Sequence, residues 1–383
     1  MKIIQSFLFF ISSFFILVSP TWAVYDPLSK PNNIFGVHIL FPSEISEARN
    51  LINSKNGDWG YVTIPIQSKD RDLEKWQKFM DDAKKLHIIP IIRIATKNDY
   101  FNSSVWEKPT YEEVLDFANF LNSLNWPTQN RYVVAFNEVN RADEWGGNVS
   151  PSEYAVILDY AVDTFKAKSP DFFIISAGLD NAAPNQSPNY MDQYSFMRLM
   201  NQSVPGIFKK LDGIASHAYP NPGFSQPPQV VSTKSIHSFI FEANLVQNLA
   251  ERTLPIFITE TGWSQEEISE EKIADYYKKA FESVWSNGRV IAVTPFILRG
   301  HPGPFSKFSL LSENGEKNLK YKTLEDLPKI SGQPVLNSTL NEHSILTGKT
   351  PVRDFPAEIK NQKEKIQASF KATKVVFKWL LKI

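Results

Sequence analysis

Cysteine is absent from this 383-residue chain, and neither sign of charge is in excess. Without cysteine there can be no disulfide, no thiolate metal site and no lipid-modified cysteine. Lys and Arg together number 41, as do Asp and Glu, so the composition gives no electrostatic reason to expect nucleic acid as a partner. A hydrophobic content of 42% allows a sizeable core, on which a chain without disulfides must depend.

Two motifs are missing from the first apolar, β-rich run, residues 34–40. It contains no Gly-rich turn of the kind that binds phosphates in doubly wound sheets. It also has a single histidine, His38, where a metal-dependent hydrolase barrel would need His-x-His. We therefore expect no cofactor and no metal ion. His38 could contact a substrate, but a lone histidine here is equally compatible with a buried core residue.

Residues 1–23 are typical of an export signal. Lys2 precedes an apolar stretch, 7–18, and a small-residue cleavage site ends at Ala23. The stretch is shorter than the roughly 20 residues that span a bilayer, although an uncleaved anchor remains an alternative. We expect a protein that is secreted or associated with the cell envelope.

From residue 34 onward, eight apolar runs alternate with helical patterns. The strand candidates are 34–40, 59–66, 88–94, 132–136, 172–177, 211–217, 255–259 and 290–298. The helical patterns between them include 72–87, 111–124, 151–168, 236–251 and 270–285. Strand–helix alternation predicts a parallel sheet covered by helices, and eight units in roughly 250 residues predict a single α/β domain of the (β/α)8 TIM barrel type. A doubly wound open sheet is the alternative.

The barrel domain is predicted to cover residues 24–328. Residues 329–357 are rich in Pro, Ser and Asn and lack a period, which indicates a linker or a loop that wraps the barrel. Residues 358–383 carry seven lysines and two glutamates on a helical apolar pattern, which predicts a basic amphipathic helix. This helix either docks on the barrel or lies on a membrane or cell-wall surface, and its wide apolar face favours the surface. We expect a monomer.

Two of the apolar runs end on a glutamate. Run 132–136 is followed by Asn137 and Glu138, and run 255–259 is followed by Glu260. The C-terminal ends of barrel strands form one mouth, so strands four and seven would bring both carboxyl groups to it. Two carboxyl groups on either side of a sugar suffice to hydrolyse a glycosidic bond, and a separation of about 5–5.5 Å indicates retention of configuration. Neither glutamate alone is a specific signal; their joint placement is.

These glutamates, together with His217-Ala-Tyr219 at the end of strand six, resemble a known group of enzymes. They are the retaining glycoside hydrolases of the barrel clan with catalytic glutamates on strands four and seven, which includes the cellulase and mannanase family 5 and the xylosidase-like family 39. The resemblance implies that Glu138 is the acid/base and Glu260 the nucleophile. It also implies that Asn137 binds the sugar 2-hydroxyl and that His217 and Tyr219 line the cleft.

The resemblance spans roughly residues 34–327, with two departures from the family pattern. Family 5 has an arginine on strand two that supports the nucleophile, and this chain has Thr63 there. Arg93 on strand three could replace it, although an arginine there could equally lie at the barrel floor or at an interface. Phe296 stands on strand eight where many members present a tryptophan to the sugar.

Four more residues are candidates for the cleft. Trp145 lies in a polar loop after Glu138 and, if exposed there, would suit stacking on a sugar ring. Trp263 would either contact substrate or pack beneath the nucleophile. Asp180 and Asn221 follow strands five and six, where a purely structural role in the loop is the alternative.

The sequence therefore predicts an exported, retaining hydrolase that cleaves O-glycosidic bonds, β-linked ones above all, in a polysaccharide or oligosaccharide. The alternative is a non-catalytic barrel that binds glycans or envelope partners and has lost hydrolysis along with the strand-two arginine. The presence of both glutamates favours catalysis, because binding alone does not require them together.

Overall fold

The computed structural model describes residues 24–97 and 105–337. The predicted signal peptide, the predicted basic helix 358–383 and most of the predicted linker lie outside the described residues, so these remain predictions. Within the described ranges, no helix is both long enough and apolar enough to cross a membrane.

Eight strands alternate with helices in the described part of the chain. The strands are β1 Gly36–His38, β2 Gly60–Ile66, β3 Ile88–Ile94, β4 Arg131–Ala135, β5 Phe172–Ile175, β6 Ile214–His217, β7 Ile256–Glu260 and β8 Val290–Val293. The α-helices are α1 Ile45–Ile52, α2 Leu73–Lys85, α3 Tyr111–Ser123, α4 Pro151–Lys168, α5 Gln193–Ser203, α6 Ile207–Lys210, α7 Ser238–Ala250, α8 Glu270–Lys279 and α9 Leu319–Asp326. Short 3₁₀ turns occur at Pro27–Ser29, Pro42–Glu44 and Ser306–Phe308, and a π-helical turn, Ala280–Val284, continues α8.

All neighbouring strands pair in parallel, which confirms the predicted α/β class. The ladders, however, form two sheets, β1 to β5 and β6 to β8, rather than one closed barrel. Single bridges join the sheets at their two seams, Ile175 to Gly213 and Phe35 to Val293. The closed ladder that we predicted is interrupted because the strands at the seams are short: β1 has three residues, and β5, β6 and β8 have four each.

The strands are apolar along their length because both of their faces are buried. Every residue of β2 and of β3 is buried. An inner cluster that includes Tyr61, Tyr132, Phe173 and Phe257 fills the space between the strands. The larger outer cluster packs the strands against the helices. Each large apolar side chain buried in this way contributes about 1.5–3 kcal/mol to folding.

The chain after α9 lies against the N-terminal ends of the strands. Lys329 donates through Nζ to the carbonyls of Leu324 and Leu327, so it caps the C-terminus of α9. Further along, Ser331 forms a bridge with Asp58, and the Gln129 amide donates to the Val335 carbonyl at 2.9 Å. The described start of the predicted linker therefore follows the floor of the sheet.

Candidate active site

The C-terminal ends of the strands surround a cavity of about 360 Å³. It is lined by Leu40, Arg93, Ala95, Thr96, Trp106, Asn137, Glu138, Arg141, Glu144, Asp180, Ala182, Tyr219, Asn221, Phe224, Glu260, Phe296, Phe305 and Phe308. Six of the residues singled out by the sequence as site candidates are among them: Arg93, Asn137, Glu138, Tyr219, Glu260 and Phe296. Asp180 and Asn221, predicted at the cleft edge, also line it.

A sharp backbone turn after β4 presents Glu138 to this cavity. Phe136 and Glu138 both have positive φ, 76° and 34°. Such a backbone costs of order 1–3 kcal/mol for a residue other than glycine, and it persists where the surroundings hold it. Here the Glu138 amide donates to the Gly178 carbonyl at 3.0 Å. The strand-to-loop turn thus fixes the position of the carboxyl group.

His217, at the end of β6, connects the two glutamates. Its Nδ1 lies 2.9 Å from Glu138 Oε1 and 3.9 Å from Glu260 Oε2. Gly178 leaves room for the ring, since a Cβ at that position would collide with the imidazole. Burial alone would lower the pKa of His217, but the Glu260 and Glu138 carboxylates raise it overall. The ring is therefore easier to protonate than a free imidazole.

Glu260, the last residue of β7, is buried and surrounded by donors. Arg93 Nη1 lies 2.5 Å from Oε1, the Tyr219 hydroxyl donates to Oε2 at 3.0 Å, and His38 Nε2 is 3.6 Å from Oε1. Burial would raise the pKa of this carboxyl, yet the positive charges of His217 and Arg93 bring it well below its ordinary value. Glu260 is therefore ionised at neutral pH.

Arg93 on β3 makes the contact with the Glu260 carboxylate that Thr63 on β2 cannot make. Its Nη1 also lies 2.5 Å from Asn137 Oδ1, so one guanidinium links Asn137 to Glu260. The alternative positions at the barrel floor or an interface are wrong. Thr63 instead shares a hydrogen bond with Thr294 at 2.9 Å, and it is fully buried.

Glu138, His217 and Glu260 each bring one ligand atom to within 4.8 Å of the others. By proximity alone this trio could bind a metal ion. The Glu260 carboxylate already pairs with Arg93, however, and His217 Nδ1 already shares a hydrogen bond with Glu138. A cation would have to compete with both contacts, so the donor set is better suited to holding two carboxyl groups close together.

A second set of charges lies beside Glu138, and of its members only Asp180 was among the site candidates predicted from the sequence. Arg141 lies 3.3 Å from Glu138 Oε2, and it pairs with Asp143 at 2.7 Å and with Asp180 at 3.7 Å. Burial and the charge of Glu138 raise the pKa of Glu144 to about 7. The one signal available was the run of charges at 141–144 directly after the candidate acid/base.

Both tryptophan candidates lie outside the cavity lining. Trp145 is fully buried, with its ring against Phe136 and Tyr154, so the prediction that it is exposed for sugar stacking is wrong. The loop folds back because Gly146 and Gly147 supply the positive φ values that its turn requires. Trp263 is also fully buried, and it packs on Tyr276, Tyr277 and Trp285.

His38 is fully buried beneath the cavity rather than lining it. Its ring meets Phe296 edge-on at 5.1 Å between centroids. Burial and the charge of Arg93 lower the pKa of His38 to about 3, so it is neutral. It packs beside Glu260 instead of presenting a group to a substrate.

One wall of the cavity is built from phenylalanine. Phe224 follows β6, and Phe296, Phe305 and Phe308 follow β8. Phe296 and Phe305 meet at 5.1 Å between ring centroids, as do Phe224 and Phe308. Only Phe296 was predicted from the sequence, because the others lie in loops that have no strand to place them.

Comparisons with known proteins give matches in fold and none in sequence families. No family model matches this sequence, and no curated protein does. A family 39 glycoside hydrolase from Bacteroides cellulosilyticus WH2 superposes with a TM-score of 0.57 at 16% identity, covering 78% of this chain and 64% of that one. This chain therefore corresponds to less than two thirds of that enzyme.

Two other solved structures are similar. A GH39 β-xylosidase from Caulobacter crescentus gives a TM-score of 0.54 at 15% identity, covering 77% of this chain and 71% of that one. A family 5, subfamily 18 protein from Streptomyces cattleya, in complex with Manβ1-4GlcNAc, gives 0.55 at 13% identity, covering 78% and 80%. The resemblance predicted from the two glutamate-bearing strands is thus confirmed at the level of the fold, which is that of the barrel glycoside hydrolases.

Proposed function

We propose that the protein is a retaining glycoside hydrolase that cleaves O-glycosidic, β-linked bonds in a polysaccharide or oligosaccharide by double displacement. The observation that supports it most is the juxtaposition of Glu138 and Glu260, whose oxygens lie within 4.8 Å of each other in a cavity. Inverting enzymes keep their carboxyl groups about 6.5–9.5 Å apart to admit a water molecule. The short separation here favours direct attack by one carboxylate.

In the first step, Glu260 attacks the anomeric carbon and the bond from that carbon to the leaving oxygen breaks. Glu138 gives the leaving oxygen a proton as the glycosyl ester forms on Glu260. In the second step, Glu138 takes a proton from water, whose oxygen attacks the anomeric carbon and releases Glu260. The His217 to Glu138 hydrogen bond keeps a proton beside the acid/base between these steps.

The surrounding donors suit this division of labour. Arg93 and Tyr219 hold Glu260 ionised and oriented, as a nucleophile requires. Arg93 also fixes the side-chain oxygen of Asn137, the residue that we propose contacts the 2-hydroxyl of a sugar. Donors that are already in place when charge develops at the reacting centre lower the barrier without reorganisation.

The non-catalytic alternative was motivated by the missing strand-two arginine. Arg93 makes an equivalent contact with Glu260 from the neighbouring strand, which removes that motive. A barrel that only binds glycans would also gain nothing from the buried charge of Glu260, which is costly to keep in a folded protein.

The proposal includes export to the envelope or beyond, as a monomer, with residues 358–383 holding the protein on an anionic membrane or wall surface. The support is in the sequence: an export-like segment at 1–23 and seven lysines against two glutamates in 358–383. Co-sedimentation with anionic liposomes compares the full chain with residues 1–355. Equal pelleting of the two would end the surface-binding proposal and leave the catalytic one intact.

The test of catalysis separates the two glutamates. On an aryl β-glycoside with a good leaving group, Glu260→Gln should reduce kcat by about a thousandfold or more, because no glycosyl ester can form. Glu138→Ala should be slowed mainly in the second step, and azide should restore turnover by replacing the base-assisted water. The azide product should have the β configuration.

Two results would contradict these roles. Azide rescue of Glu260→Gln with a β product, together with an α product from Glu138→Ala, would show that the two roles are reversed. Full activity of both variants would remove the glutamates from the reaction altogether. The matched control is Glu282→Gln, an exposed carboxyl in the π-helical turn after α8, which should leave both rates unchanged.

A further inference from the structure

The cavity has a charged half and an apolar half, and a wall of phenylalanine side chains forms the apolar half. We define the wall as Leu40, Phe224, Phe296, Phe305 and Phe308. Its rings touch edge to face, with Phe296 centred 5.1 Å from Phe305 and 5.9 Å from Phe308. Phe296 and Phe308 form one buried cluster with Tyr219 and Ile297, and Leu40, Phe224 and Phe305 pack against it.

The charged half comes from the end of β3 and from the loops after β4 and β5. It contains Arg93, Asn137, Arg141, Glu144 and Asp180. Two polar residues stand at the border with the wall, and each already donates a hydrogen bond to another side chain. The Tyr219 hydroxyl donates to Glu260, and the Asn221 amide nitrogen donates to Asn181 Oδ1 at 2.8 Å. Lys307 comes within 6 Å of the Phe224 and Phe308 rings, but Glu266 holds its ammonium at 3.0 Å and it does not line the cavity.

The geometry of a pyranose ring decides which part of a substrate meets each half. The anomeric carbon has two ring neighbours, C2 on one side and the ring oxygen on the other. Since Glu260 attacks this carbon and Asn137 lies on the charged side, C2 and its hydroxyl must face the charged half. The ring oxygen and C5 then face the opposite side, so the substituent on C5 points to the wall.

An ordinary hexose would bring a hydroxymethyl group to this position. Its hydroxyl would lose water and find no polar side chain among the wall residues that the structure describes, and a buried hydroxyl without a partner is unfavourable. A methyl group would instead bury apolar area against the rings. A hydrogen atom would avoid the penalty but leave the wall partly uncovered.

We propose that the phenylalanine wall makes this site selective for 6-deoxyhexopyranosides, sugars whose C5 carries a methyl group. This inference rests on the proposed function, because it uses Glu260 as the nucleophile and Asn137 as the partner of the 2-hydroxyl. The wall residues act on specificity and take no part in the bond-breaking step.

The test uses matched pairs of p-nitrophenyl glycosides that differ only at C6. They are β-D-fucoside and β-D-galactoside, β-D-quinovoside and β-D-glucoside, and β-D-rhamnoside and β-D-mannoside. The matching pentosides, which lack C6, are α-L-arabinopyranoside, β-D-xyloside and β-D-lyxoside in the same order. In the pair that fits the charged half, kcat/KM should be about 10–100-fold higher for the 6-deoxy sugar than for the hexose. The pentoside should be slower than the 6-deoxyhexoside by about tenfold, for want of one methyl contact.

Two substitutions of one wall residue supply the control. Phe305 is half-buried, and Leu and Asn have nearly the same shape. Phe305→Leu should keep the preference for the 6-deoxy sugar, because the wall stays apolar. Phe305→Asn should lower the ratio of kcat/KM for the 6-deoxy sugar to kcat/KM for the hexoside at least threefold, because asparagine offers the C6 hydroxyl a hydrogen-bond partner. Equal ratios in the two variants, or a wild type that hydrolyses the hexoside or the pentoside as fast as the 6-deoxyhexoside, would overturn the inference.

Failure of the proposed function would look different. If no glycoside were hydrolysed, the hydrolase proposal would fall, while calorimetric titration with the corresponding methyl glycosides would still decide the specificity. Tighter binding of the 6-deoxy member of a pair supports the wall, and equal or weaker binding refutes it.

Discussion

The two ends of the same eight strands differ in chemistry although both are buried. At the N-terminal floor, Tyr61 and Tyr132 point inward with Phe173 and Phe257. The Tyr61 hydroxyl donates to Asn32 Oδ1 at 2.7 Å, and burial raises the pKa of both tyrosines, so the floor is neutral. At the mouth, ionised groups lie within hydrogen-bond distance of one another. The floor can therefore be optimised for stability, while the mouth keeps costly buried charge that chemistry requires.

The floor is also the more enclosed end. Tyr25 exchanges hydrogen bonds with Asn130 through its backbone amide and carbonyl, and its hydroxyl accepts from the Val335 amide at 3.1 Å. The chain before β1 and the chain after α9 thus meet at the floor. Among the residues that the structure describes, no comparable segment covers the mouth. The cavity there stays accessible to a ligand.

The largest effect should come from emptying the floor. Tyr61→Ala removes a buried ring from the inner cluster and should lower the free energy of unfolding by about 3–5 kcal/mol. Tyr61→Phe keeps the ring and loses one hydrogen bond, so it should cost about 1 kcal/mol. Urea unfolding gives both values. At a temperature where both variants are folded, kcat/KM should match the wild type, and a large loss of activity in Tyr61→Phe would break the division between floor and mouth.

Changes at Arg93 should have the opposite signature. Arg93→Lys keeps a positive charge but cannot bridge Asn137 and Glu260 in the same way, so kcat/KM should fall by about 10²-fold with a small change in unfolding free energy. Arg93→Ala also removes a charge that lowers the pKa of Glu260. Because the nucleophile must be ionised, the acidic limb of the kcat/KM profile should move to higher pH in Arg93→Ala and less so in Arg93→Lys. If the acidic limb of the pH profile stayed in place in both variants, the ionisation of Glu260 would not be what controls that limb.

The sequence predicted the strands well because burial on both faces leaves a plain signal. β3 begins and ends where the run 88–94 does, and α4 matches 151–168. The errors lie at the seams, where the predicted run 290–298 gives a strand only to Val293. The apolar residues beyond it leave the sheet to build the mouth, which no period in the sequence indicates. α1, α5, α6 and α9 were missed for lack of a long apolar stripe.

At the site, residues next to strand ends could be predicted and residues in loops could not. Glu138 and Glu260 could be predicted from their strand positions, and His217 from the resemblance to the barrel glycoside hydrolases. Trp145 was misplaced because a glycine-containing loop has no period to show that it folds inward, and its polar neighbours suggested exposure. Phe305 and Phe308 were overlooked because their contact with Phe296 depends on a turn between distant segments. The catalytic and binding roles of the site residues remain predictions.

A buried carboxyl just behind the mouth should affect stability only as the pH rises. Glu242 on α7 is fully buried; it accepts from the Ser216 hydroxyl at 3.0 Å, beside the His217 that bridges the two glutamates. The side chains of Gln193 and Ser238 also lie beside its carboxyl group. Burial raises the pKa of Glu242 from 4.5 to about 7.

A carboxyl whose pKa is higher in the folded state than in the unfolded state binds its proton more tightly when folded. The stability that it contributes is complete below about pH 4.5 and is lost as pH rises through about 7. Glu242→Gln removes this titration. Relative to the wild type, its free energy of unfolding should therefore improve between pH 5 and pH 8, by up to about 3 kcal/mol. Glu282→Gln, at an exposed position, should show no such trend. Urea unfolding at pH 5 and pH 8 measures the difference in unfolding free energy between variant and wild type. If this difference is the same at both pH values, Glu242 is already ionised at pH 5. Its buried charge would then belong, like that of Glu260, to the charged groups of the mouth.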